Sequence, residues 1–112
     1  MKRELIFIYL RILNIIWEKL GKVLGYEVFS KIYERARRNL IEKNPWILNL
    51  KLNDKGFFFK EIEEEEIDTE NFEEVMEKLI EGIFTLISSL IGKEITERIQ
   101  NEVEEVLERK NE

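Results

Sequence analysis

The sequence predicts a mainly α fold: four helices forming two helix–glycine–helix pairs, with one small β-hairpin between the pairs. Phe72, Val75, Met76, Leu79, Ile80, Ile83, Leu86, Ile87, Leu90 and Ile91 recur three and four residues apart. That is one face of a 3.6-residue period held for about five turns. After Gly92 the same period resumes at Ile95, Ile99, Val103, Val106 and Leu107. Around residue 50 the period changes: Leu48, Leu50 and Leu52 alternate with Asn49 and Lys51, as in a half-buried strand. At 112 residues the chain reads as one domain. Residues 1–44 form the first helix pair, 46–67 the hairpin and an acidic connector, and 68–109 the second pair.

The first helix is expected from Glu4 to Leu24. Leu5, Ile6, Phe7, Ile8, Leu10, Ile12, Leu13, Ile15, Ile16 and Trp17 surround nearly its whole circumference. A helix apolar all round is buried on more than one side, and in so small a domain a second copy of the chain is one way to bury it. Phe7, Leu10 and Trp17 here, with Met76, Ile83 and Phe84 on the third helix, are therefore the candidate interaction residues. Gly25 suits a left-handed helix cap. The second helix, Tyr26 to Lys43, places Lys31, Arg35 and Arg38 on a stripe apart from its apolar face, with Arg37 nearby. Pro45 ends it, because the residue before a proline is pushed out of helical geometry.

Asn53-Asp54-Lys55-Gly56 has turn chemistry. It predicts a hairpin with a loop of three or four residues and a return strand over Phe57–Ile62. A lone hairpin is marginal in water, so its apolar face is expected to rest on the helices. Glu61, Glu63, Glu64, Glu65 and Glu66 follow as an acidic run. Asp68 is the expected cap of the third helix, with Ile67 and Phe72 as a hydrophobic staple. The third helix runs to about Ile91 and the fourth from Lys93 to Glu108.

A shift of 67 residues superposes the two pairs without a gap. Ile12 falls on Leu79, Ile16 on Ile83, Trp17 on Phe84, Gly25 on Gly92, Glu27 on Glu94 and Ile32 on Ile99. Duplication of a helix–glycine–helix unit would explain this, and it predicts two similar αα units related by an approximate two-fold. The order LGKVLGYEVFSKIYERARRNL, an Asn-Pro-Trp turn, LNLKLNDKG, then EEVMEKLIEGIFTLISSLIGKEITERI resembles small helical modules that accompany ATPase or histidine-kinase domains in archaeal signalling proteins. The likeness covers about residues 15–107 and rests on apolar spacing and glycines. It implies a signalling-associated, regulatory role and transfers no functional residue.

The chain has no cysteine and no histidine. That removes thiolate metal sites, disulfides, the commonest general base and the commonest zinc ligand. Ser88, Ser89 and Thr96 have no histidine to activate them, and neither GKVLG nor IGK forms a phosphate cradle. No catalytic residue, metal or cofactor is expected. The apolar run in the first helix is shorter than a membrane span of about 20 residues and is broken by Arg11 and Asn14. No signal peptide is read, and a cytoplasmic protein is expected. Heavy use of glutamate, lysine and isoleucine leans toward a heat-loving source.

Charge is split along the chain. Residues 1–60 carry 13 basic and 6 acidic side chains, and residues 61–112 carry 5 and 18, within a net charge of −6. The basic patch Lys31, Arg35, Arg37 and Arg38 is the best nucleic-acid candidate. The favoured reading is instead that the basic and acidic halves pair, within one chain or between subunits. The acidic patch Glu61–Glu66 is expected to be a solvated charge run rather than a cation site. The function expected is a helical protein–protein interaction or regulatory module, homodimeric and without enzymatic activity. Alternatives are an acidic inhibitor or decoy of a nucleic-acid-binding protein, using Glu61 to Glu74, and a pocket for an apolar small molecule walled by Phe7, Trp17, Phe29 and Phe84. Neither nucleic acid nor a membrane is an expected partner.

Overall fold

The computed structural model describes residues 2–60 and 69–109. Among them are four helices and a two-stranded antiparallel hairpin. Helix α1 (2–24) is α-helical over Lys2–Ile16, passes through a π turn at Trp17–Gly21 and ends in a last α-turn, Lys22–Leu24. Helix α2 is Tyr26–Ile41, α3 is Thr69–Ile91 and α4 is Lys93–Arg109. The acidic run, Asp68 and its staple partner Ile67 lie outside the described residues.

The π turn has a local cause. The Lys22 N–H donates to the Trp17 carbonyl, one residue further back than in an α-helix. A Cβ on Gly21 would overlap Cε3 of the Trp17 ring, so glycine lets that indole lie flat against the helix. Both helix pairs then turn on a glycine of the same geometry. Gly25 and Gly92 each have φ 92°, and each N–H closes onto the carbonyl four residues earlier, Gly21 at 2.8 Å and Ser88 at 2.9 Å. A positive φ suits glycine, which has no Cβ to clash.

Burial repeats at the 67-residue offset. Tyr9 and Met76, Ile12 and Leu79, Leu13 and Ile80, Ile16 and Ile83, Trp17 and Phe84, and Leu20 and Ile87 are all core residues. The tertiary arrangement is less like two hairpins than the sequence suggests. Helix α2 packs chiefly along α3, and α4 packs along α1 as well as α3. The second helix of each pair thus lies on the first helix of the other, and one core serves both pairs.

The hairpin fills the gap between α1 and α2. Its strands, β1 (Leu50–Asn53) and β2 (Gly56–Phe59), pair Leu50 with Phe59 and Asn53 with Gly56. The connection is therefore two residues, Asp54 and Lys55, shorter than the turn chemistry predicts. β2 ends at Phe59, and the expected limit at Ile62 lies outside the described residues. Leu48 does not join β1. Pro45–Asn49 forms a 3₁₀ turn that buries Trp46 and Ile47 and leaves Leu48 exposed. A proline at the start of a helical turn sacrifices no hydrogen bond, and two large side chains gain burial by turning there.

Asn14, an interruption of the apolar run in the sequence, is what fastens the hairpin to α1. Its Oδ1 accepts from the Phe57 N–H at 2.8 Å, and its Nδ2 donates to the Phe57 carbonyl at 3.2 Å. One amide thus serves both backbone groups of a strand residue, as a neighbouring strand would.

Candidate functional site

The expected interaction face is mostly interior. Trp17, Met76, Ile83 and Phe84 are core residues, and Leu10 is half-buried. Only Phe7 stays largely open, at 63% exposure. Helix α1 is enclosed by α3, α4 and the hairpin of its own chain, so it does not need a second copy to cover it. The correction has a simple origin: a circumferential apolar pattern specifies burial on several sides but not which chain provides the cover. The proposed aromatic pocket is corrected as well. Phe29 is fully buried with its ring 5.6 Å from that of Trp17, while Phe7 faces outward, so the four aromatics do not enclose a common cavity.

Two of the surface grooves lie between helices of different pairs. The first, about 480 Å³, lies between α2 and α3, with Arg35, Arg38 and Asn39 on one wall and Lys78, Glu81 and Thr85 on the other. Gly82 sets its depth, because a Cβ there would come within 3.4 Å of the Ala36 Cβ. Through Arg35 and Leu86 it runs into an apolar stretch formed by Val28, Ile32 and Leu90. The second groove, about 350 Å³, lies between α1 and α4 and is lined by Arg11, Asn14, Ile15, Glu18, Lys19 and Glu102. Each of these six residues stands 67 positions from a lining residue of the first groove: Lys78, Glu81, Gly82, Thr85, Leu86 and Arg35 respectively. The grooves are repeat-equivalents, and where one presents Arg35 the other presents Glu102.

The basic patch divides between these environments. Lys31, Arg35 and Arg38 are exposed and make no ion pair with a described residue. The patch therefore does not pair with the described part of the acidic half within one chain. Arg37 is committed elsewhere, its guanidinium 5.0 Å above the Tyr33 ring, a cation–π contact. The ion pairs Lys22–Glu18 and Lys78–Glu74 each lie within one exposed helix face, and such pairs contribute a few tenths of a kcal/mol.

Tyr33 is a titratable group that its surroundings alter strongly. Its hydroxyl donates to the Leu50 carbonyl. Burial pushes its pKa up from 10 to about 12, and the Arg37 guanidinium opposes that rise. The unfolded chain therefore loses this proton near pH 10, while the folded chain keeps it until about pH 12. The stabilisation is fully present below pH 10 and is lost as the pH rises through that interval. We expect stability to fall by about 2 kcal/mol over this range. In Tyr33→Phe that component should be absent, at a cost near neutral pH of about 1 kcal/mol for the missing hydrogen bond. Urea titrations of both proteins at several alkaline pH values measure the difference. Equal pH dependence in the two would refute the assignment.

Among the described residues no group of three or more Asp or Glu side chains is placed to hold a metal ion, and no helix is long and apolar enough to cross a membrane. The acidic patch Glu61, Glu63, Glu64, Glu65 and Glu66, on which the decoy reading rests, lies outside the described residues. No family model, curated protein or solved structure matches the chain.

Proposed function

We propose that the chain is a non-catalytic helical interaction module, regulatory and signalling-associated in kind, that works by self-association. The carrying observation is the placement of its exposed apolar side chains. Val23 is 78% exposed, Leu90 59%, Val28 43% and Ile95 53%. Isolated apolar residues on a surface need no explanation, but these form two repeat-equivalent pairs beside the glycine corners. Val28 and Leu90 also share one groove wall to wall. The absence of histidine and cysteine from the sequence supports a binding rather than a catalytic role.

Sedimentation velocity across micromolar concentrations tests the reading. The expected result is a mass that rises with concentration in the unmodified protein and less so in Leu90→Asp, which places a charge on the exposed apolar pair without touching the core. A monomeric mass at every concentration overturns it.

A further inference from the structure

Helices α2 and α4 carry charge stripes beside the two grooves, and these stripes fit each other better than either fits itself. Lys31, Arg35 and Arg38 on α2, with Glu42 capping its end, follow one exposed line, and Arg98, Glu102, Glu105 and Arg109 occupy the equivalent exposed line along α4. Spacings of three and four residues keep each set on one helix face. Read along the chain, the first stripe is plus, plus, plus, minus and the second is plus, minus, minus, plus. Laid against each other in either direction, they give three attractive pairs and one like pair, with the like pair at a helix end. Antiparallel self-pairing of the α4 stripe gives only like pairs. Antiparallel self-pairing of the α2 stripe sets Arg35 against Arg38 at its centre. Beside the α2 stripe stands the exposed apolar pair Val28 and Leu90, which line one groove, and the repeat-equivalent positions Ile95 and Val23 are exposed as well.

We propose that self-association joins unlike faces: the α2 stripe of one copy docks against the α4 stripe of another. This rests on the self-association reading above and specifies which surfaces meet. Exposed ion pairs contribute little affinity individually, but like charges brought face to face are disfavoured. The stripes therefore select the pairing, and the flanking apolar side chains supply most of the attraction. Lys31, Arg35 and Arg38 have no ion pair among the described residues of their own chain, so the partner copy meets them uncommitted.

Charge reversal tests it. In the variant Arg35→Glu/Arg38→Glu the two central positions of both stripes are acidic, and in Glu102→Arg/Glu105→Arg they are basic in both. All substituted positions are exposed, and circular dichroism checks that each variant folds. Each variant alone should self-associate at least about tenfold more weakly than the unmodified protein in about 50 mM salt, and the deficit should shrink in about 500 mM salt. Mixing the two variants should restore association, because acidic central positions then meet basic ones. Association in the unmodified protein that neither reversal weakens nor mixing changes overturns this pairing and leaves the self-association reading standing. A monomeric unmodified protein removes both.

Discussion

Gly56→Ala is expected to destabilise the protein by about 3 kcal/mol, combining backbone strain with the loss of a buried hydrogen bond. Gly56 has φ 133°, a region that side chains with a Cβ rarely occupy. An added Cβ would also overlap Asn14 Oδ1, the atom that accepts from the Phe57 N–H. Asn14 cannot yield without releasing both backbone groups of Phe57, and the hairpin would lose its tie to α1. Urea unfolding of Gly56→Ala, Asn14→Ala and the double variant separates the two causes. In the Asn14→Ala background the overlap is gone and only the strain of positive φ remains. The second substitution should then cost about 1 kcal/mol less than it does in the unmodified protein. Strict additivity would show that Gly56 and Asn14 do not act together.

Phe29→Ala is expected to cost about 3 to 5 kcal/mol, the range for removing a buried phenylalanine ring. Phe29 is fully buried, with ring centroids 5.6 Å from Trp17 and 5.9 Å from Phe57. It therefore joins α1, α2 and the hairpin in a single contact. Its repeat-equivalent, Thr96, is also buried but turns its hydroxyl onto the Gly92 carbonyl at 2.7 Å. Thr96→Ala removes one methyl and one local hydrogen bond, so about 1 kcal/mol is expected there. Midpoints of chemical unfolding for the two variants measure the contrast. Equal losses would show that the hairpin side of the core carries no special share of the stability.

That contrast also marks where the two halves of the chain part company. Tyr33 on α2 faces Phe57 with ring centroids 5.1 Å apart, whereas its equivalent on α4 is Gln100, half-buried. The first pair carries aromatic side chains because the hairpin covers them. The second pair has no hairpin to receive such residues. A shared pattern of small and large apolar positions thus survives on the faces that both pairs turn to the common core, and fails on the face where the hairpin sits.

The architecture was legible in the sequence because periodicity reports which faces leave water. Helix limits, the glycine corners, the hairpin and the 67-residue repeat all follow from spacing and turn chemistry. The exposed stripe of Lys31, Arg35 and Arg38 followed in the same way, because charged side chains at helical spacing off the apolar face stay solvated. Asn14 was not legible: a lone asparagine in an apolar run is an interruption until a strand edge is seen beside it. The 3₁₀ turn over Pro45–Asn49 was hidden for a similar reason, since Trp46 and Ile47 outweigh the alternation of Leu48, Leu50 and Leu52 only when the pocket that receives them exists.

By itself, then, the sequence determined four amphipathic helices, their two glycine turns and the positions that must be buried, because each depends on residues a few places apart. Only the tertiary structure decided that α2 rests on α3 and α4 on α1, that Trp17, Met76, Ile83 and Phe84 face inward, and that Val28 and Leu90 line one groove. Apolar periodicity measures how much surface seeks cover. Which surface covers which is set by the packing of side chains far apart in the chain, and helix spacing carries no record of that choice.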